Sequence, residues 1–277
     1  MKKNILYIGL SFLCILTACN KDEVQRDGIK NGTSEGIFSV AKGKTVHFSM
    51  GNLQYNASSK TWRFALQQYD FIGEENRNIS DTYNGWIDLF YWGTGDNPTL
   101  VTTNIEDCPS AFTDWGKNVI SNAGNKANQW RTLSNDEWVY LIKKRPNADR
   151  LVSTATLNID NVEKYGLIIL PDNWKAPNGI TIDCSHEADY WSNIYDASQW
   201  AKMEAEGAVF LPAAGFREVN DYNDADDMGL YWSSTAYNTE LARYFAFCEE
   251  LEEIDNLINQ CVDPFYLGFS VRLVKDL

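Results

Sequence analysis

Apolar and polar residues alternate from Val46 to Met50, where His47 and Ser49 separate Val46, Phe48 and Met50, and again over Trp62-Arg63-Phe64. A period of two puts successive side chains on opposite faces, so both stretches are predicted as strands and the N-terminal part as β-hairpins. Leu167 to Leu170 is instead a continuous apolar run between Gly166 and Pro171, the pattern of a strand buried on both faces. Val209–Leu211 and Ala242–Phe247 are further candidates. The last strand is predicted with Phe269, Val271 and Leu273 on an apolar face and Ser270 and Arg272 on a polar one. Two segments follow the helical period. Ser134-Asn135-Asp136-Glu137 has the spacing of a capping box, in which a hydroxyl and a Glu three residues on satisfy each other's backbone N–H groups. Trp138, Leu141 and Ile142 continue it as an apolar stripe, Lys143, Lys144 and Arg145 suit the negative end of the helix dipole, and Pro146 stops it. The second helix is predicted from Ala197 to Glu206, with Trp200, Ala201 and Met203 inward and Gly207 as its stop. Two helices among many antiparallel strands make the fold class α+β.

The first residues fit neither period. Met1-Lys2-Lys3 precedes a mostly apolar run from Asn4 to Leu16, shorter than the about 20 residues that span a bilayer as a helix, which is the form of a secretory signal peptide. Leu16-Thr17-Ala18-Cys19 resembles the lipobox of bacterial lipoproteins, which implies cleavage before Cys19 and lipid on its thiol. Anchoring rather than spanning would follow. Lys21-Asp22-Glu23 is similar to the short signal that sends Bacteroidota lipoproteins to the outer face of the outer membrane, so the expected location is the outer membrane, lipid-anchored at the cell surface. From Asn20 to about Gly36 the chain is polar with almost no apolar residues. The expected division is a signal peptide (1–18), a flexible tether (19–35) and one domain (36–277), because no linker or repeat interrupts the remainder.

Charge narrows the partners. Lys plus Arg is 24 against 38 Asp plus Glu, a formal charge of -14, and removing a segment that holds Lys2, Lys3 and no acid would take it to -16. Nucleic acid, which requires a basic footprint, is excluded as an expected partner. Ten Trp, 14 Tyr and 13 Phe are expected mostly in the core. The Gly- and aromatic-rich stretch from Tyr83 to Trp92 is the exception: Trp86, Tyr91 and Trp92 are the candidate platform on which a sugar ring would stack.

Four segments carry a family resemblance. Trp130-Arg131-Thr132-Leu133-Ser134 with Glu137-Trp138, then Leu211-Pro212-Ala213-Ala214-Gly215-Phe216-Arg217, then Tyr231-Trp232-Ser233-Ser234-Thr235, then Gly268 to Val274 stand in order between residues 130 and 274. They resemble the Fibrobacter succinogenes major paralogous domain and, more broadly, the C-type-lectin-like branch that includes formylglycine-generating enzymes. The resemblance implies a C-type-lectin-like fold whose function sits in variable loops.

An enzyme of that branch needs a close pair of reactive thiols. Cys248 and Cys261 are 13 residues apart, and Glu249, Glu250, Glu252 and Glu253 would raise rather than lower a thiol pKa. A disulfide is one alternative for this pair, two buried thiols the other; with Cys108 and Cys184 the set is even, as suits an exported chain. Calcium is the possible cofactor. Asp221, Asn223, Asp224, Asp226 and Asp227 supply oxygens, but Ala225 fills the third ligand position of an EF-hand-like spacing and no Glu follows at the twelfth, so the run is read first as a solvated loop. His47 and His186 have no second His at zinc spacing. No nucleophile elbow, phosphate loop or dinucleotide fingerprint occurs in the chain. The expected function is a non-catalytic, lipid-anchored binding or adhesion module for a glycan or protein, without a cofactor. The alternatives are a divergent formylglycine-generating-enzyme-like oxidase, a surface glycan hydrolase, or a structural component of a pilus or surface assembly.

Overall fold

A computed structural model describes residues 32–250 and 261–277. Strands β1 (Phe38–Ala41) and β2 (Lys44–Phe48) form the first hairpin, and β3 (Leu53–Asn56), β4 (Thr61–Phe64) and β5 (Trp86–Ile87) form a separate sheet in the order β4-β3-β5. A long irregular stretch with short 3-10 turns leads to α1 (Asn135–Val139), which runs on as a π-helical turn over Tyr140–Lys144. Next come β6 (Val152–Ile159), β7 (Val162–Ile169), β8 (Ile194–Asp196), α2 (Ala197–Ala205) and β9 (Val209–Pro212). Their sheet has the order β8-β6-β7-β9. The last sheet holds β10 (Ala214–Glu218), β11 (Asp221–Ala225), β12 (Gly229–Ala236), β13 (Leu241–Phe247), β14 (Val262–Pro264) and β15 (Leu267–Gly268), and β16 (Val274–Asp276) returns to pair with β2. The fold is α+β.

Both helices begin with a capping box, predicted at α1 and not at α2. Ser134 and Glu137 exchange side-chain and backbone bonds at α1, and Asp196 with Gln199 does the same at α2. Gly207 follows α2 with φ of +92°, and a Cβ there would lie 2.6 Å from the Cα of Gly36, so only glycine allows the two backbones to touch. The basic tail of α1 differs from expectation. Arg145 is buried, bonds Asp172 at 3.0 Å and caps the carbonyl of Leu151, so it ties the helix to the core rather than complementing its dipole in solvent.

The predicted last strand also differs. Phe269, Val271 and Leu273 are buried, but so are Ser270 and Arg272, because the segment threads between sheets and makes only isolated bridges at Phe269 and Ser270. Arg272 donates to the carbonyls of Phe210 and Ser49. The outward edge of β9 is capped in the same way, by Gln68, whose amide accepts from Phe210 N at 3.0 Å and donates to Ala208 O at 3.1 Å. A side chain thus closes a sheet edge that another strand would otherwise find.

Candidate functional site

Between the end of β7 at Ile169 and the start of β8 at Ile194 lie residues 170–193, an excursion with no helix or strand of its own. Unstructured connections of this length are uncommon in compact domains and are usually functional. This one is fastened to the sheet by β6, where Ser153, Thr154 and Thr156 are fully buried hydroxyls. Ser153 donates to Asp183 O (2.5 Å), Thr154 to Ala188 O (3.4 Å) and Thr156 to Tyr190 O (2.7 Å). Asn193, also buried, is the central clamp. Its amide nitrogen donates to Asp183 O (2.8 Å), Thr154 O (3.0 Å) and Ser153 Oγ (3.0 Å), and its oxygen accepts from Asp183 N (2.8 Å). Tyr195 donates to Thr181 O at 2.7 Å and Tyr190 to Asp227 O at 2.9 Å; burial first, then nearby negative groups, raises both phenol pKa values, so they remain neutral donors.

Two grooves flank the excursion and share Ile182 as a wall. The larger, about 710 Å³, has an apolar floor of Ile142, Ala148, Val152 and Ile182. Lys143 also lines it, Arg150 approaches Asp149 at 4.0 Å, and Asp183 is close enough to act on the Cys184 thiol. Burial and then the Asp183 charge push that thiol up to about 11, which leaves it protonated and a poor nucleophile at neutral pH. The smaller groove, about 470 Å³, is built from Thr181, Asp183, Ser192, Asn193, Tyr195 and Gln199, with the apolar side chain of Ile194 at its edge. Both volumes fall in the range of about 300–1,000 Å³ typical of small-ligand sites. Trp191, beside Ser192 in the chain, is 53% exposed, and the other nine Trp are buried or half-buried.

No protein family, curated protein or solved structure matches the chain. The functional argument therefore rests on the geometry.

The aromatic platform expected at Trp86, Tyr91 and Trp92 does not form. Tyr91 and Trp92 are 1% and 2% exposed. Trp92 stacks on Phe265 at 4.4 Å and donates to Ser233 O, and Tyr91 lies under the buried Arg217 guanidinium at 4.5 Å. Trp86 is half-buried, with the Arg63 guanidinium 3.7 Å above its ring. The Gly-rich spacing looked like an open loop, but Tyr91 and Trp92 are core and the face of Trp86 is covered by Arg63.

Asp221, Asn223 and Asp224 do not lie on a solvated loop. They belong to β11, which pairs with β10 from Asp221 to Ala225, so alternate residues point to opposite sides, and Tyr222 between them is buried. Asp226 and Asp227 occupy the following turn. Among the described residues no three His, Cys, Asp or Glu side chains are grouped to hold a metal ion. The disulfide proposed between Cys248 and Cys261 is not formed, since Cys261 is a free thiol. Burial pushes the Cys261 thiol up to about 11, an effect that the Tyr244 hydroxyl only partly offsets. Cys19 lies outside the described residues.

The segments that carried the family resemblance converge on architecture. Arg131 bonds Glu137 with two parallel contacts (2.7 and 2.9 Å) and Asp276 with its remaining face. Trp138 stacks on Phe245 at 4.9 Å, Thr235 accepts from Asn135 N, and Tyr231 donates to Pro212 O. Sequence reading missed Asp183, Trp191 and Asn193. Their signal was present in the polar, Gly- and Pro-containing stretch after Pro171, whose length exceeds that of an ordinary connection.

One buried carboxyl outside the grooves is structural. Asp88 is fully buried and accepts from Ile72 N and Asn76 Nδ2, each at 2.8 Å. Burial raises its pKa from 3.8 to about 6 despite those bonds. A carboxyl whose folded pKa is raised favours the fold below its unfolded pKa, and that contribution is lost as pH rises through the folded value. Between pH 4 and 6.5 the loss amounts to about 2 kcal/mol. Asp88→Asn, which keeps the shape and one acceptor oxygen, is expected to flatten the fall in urea-unfolding stability over that interval.

Proposed function

We propose that the chain is a lipid-anchored, surface-displayed binding module on a C-type-lectin-like scaffold, and that the excursion of residues 170–193 contacts its ligand. The observation that carries this reading is the fastening of that excursion. A long irregular loop is held by buried hydroxyls and one buried amide to a sheet, so its grooves are preformed, and a preformed site avoids the ordering cost that a mobile loop would bring to binding. The raised thiol pKa values at Cys184 and Cys261 support binding over thiol oxidation. The C-type-lectin-like scaffold draws its support from the ordered motif segments and their shared core, and the anchor from Leu16 to Cys19. In this reading the ligand is a glycan or a protein on a neighbouring cell or matrix.

Two measurements test the two halves. Cys19→Ala is expected to move the protein from the membrane fraction to soluble or unprocessed material; normal processing and membrane retention of the variant would refute the anchor. Binding of the full chain to glycan and protein arrays should be lost when Thr156→Val and Asn193→Ala release the excursion. Unchanged binding to every ligand would refute the site.

A further inference from the structure

Resting on the reading of the excursion as a binding site, we infer that the smaller groove takes a neutral carbohydrate, with Asp183 and Gln199 of its lining as the groups that read the hydroxyls. The stacking ring is the exposed Trp191, which is outside the lining but next in the chain to the lining residue Ser192. The lining selects this chemistry. Its side chains supply hydroxyls, amides and one carboxylate, and no Lys, Arg or His lines it. A sugar presents several hydroxyls that both donate and accept, beside a face of C–H groups. Carboxylate and amide oxygens accept from the hydroxyls, amide N–H groups donate to them, and an indole covers the C–H face.

The groups are held in place for this. Asp189 accepts from Trp191 N (3.0 Å), Ser192 N (2.8 Å) and Ser192 Oγ (2.8 Å), which locks the turn that presents the indole to solvent. Asp183 has one oxygen on Ser185 N at 2.8 Å, and its exposed carboxylate is held below the usual range by that bond and the Ser185 hydroxyl. Gln199 is fixed by the α2 capping box, where its Oε1 accepts from Asp196 N at 2.9 Å and leaves the amide N–H groups as donors. Because its single charged group is Asp183, the groove rejects acidic sugars, and the chain's overall charge of -14 works in the same direction.

The test uses the full chain against an array of neutral hexose and N-acetylhexosamine oligosaccharides, with uronic- and sialic-acid oligosaccharides beside them, followed by titration calorimetry on the tightest neutral binder. The expected result is a neutral binder whose affinity falls at least tenfold in Trp191→Ala and Gln199→Ala and is unchanged in Trp86→Ala, with acidic counterparts at least tenfold weaker. Asp183→Asn should narrow the gap between neutral and acidic sugars. Circular dichroism spectra matching the wild type would separate lost contacts from lost fold. Acidic sugars bound as tightly as neutral ones, a neutral sugar indifferent to Trp191→Ala, or protein ligands alone would each overturn the inference, while the binding role of the excursion would stand. That role fails separately, if releasing the excursion through Asn193→Ala changes no interaction at all.

Discussion

Glu137→Ala is expected to cost the fold about 3 kcal/mol, measured as the loss in urea-unfolding free energy at pH 7. The side chain is 10% exposed and receives four charge-assisted bonds: two from Arg131, one from Lys44 at 2.8 Å and one from Ser134 N at 2.9 Å. Its loss removes half of the capping box, worth about 1 kcal/mol, and leaves the partly buried guanidinium of Arg131 without its bidentate partner. Arg131 retains Asp276, which keeps the cost at the lower end for broken buried pairs. Burial alone would raise the Glu137 pKa, but the bonds from Arg131, Lys44 and Ser134 outweigh it and hold the carboxyl below its ordinary value. A depressed carboxyl stabilises the fold above its unfolded pKa, and the contribution is lost as pH falls through the folded value. The gap between wild type and Glu137→Gln should therefore close on acidification. Asp88 has the opposite sign, so the two variants should change the pH profile in opposite directions. A pH-independent gap at Glu137 would mean that the carboxylate charge contributes nothing.

Where local chemistry dictates local structure, the sequence was readable. The capping box at Ser134, the stop at Gly207 and the buried run from Leu167 to Leu170 all depend on residues within a few positions of each other. Alternation failed where a segment is enclosed on both sides. Ser270 and Arg272 follow the pattern of a solvated face, yet they are buried because distant carbonyls at Phe210 and Ser49 receive the Arg272 donors. Rings were misread for the same reason. Nothing near Trp92 in sequence indicates that Phe265 stacks on it, whereas Trp191 is exposed by an Asx turn contained in residues 189–192. The motif segments pointed to a shared core, and their side chains are spent on that core. The grooves lie between the irregular stretch and its neighbours around residues 142–152 and 194–199, outside the motif segments.

The second large effect is expected at Asn193. Replacing it with Ala removes its own bonds to Asp183 and β6 and leaves the Ser153 hydroxyl and the Thr154 carbonyl short of a partner. The Ser153 hydroxyl is then the one remaining named side-chain bond from β6 to Asp183. Each such bond contributes about 1 kcal/mol, so the closed excursion should lose about 3 kcal/mol relative to open forms, and open forms should become roughly a hundredfold more populated. The effect is local, because the pairing of β6 with β7 from Val152 to Ile159 does not involve this side chain. Amide exchange should accelerate over residues 181–193 and change little in β7 and β9. Asn193→Asp separates the contributions: it keeps the oxygen that accepts from Asp183 N but replaces the donor with a buried charge facing the carbonyls of Thr154 and Asp183, so it should open the excursion at least as far as Ala does. Ligand affinity should fall in step with the open population, since binding must first reorder the loop. Uniform acceleration across all sheets would instead make Asn193 a global core residue, and the grooves would owe their shape to something other than this clamp.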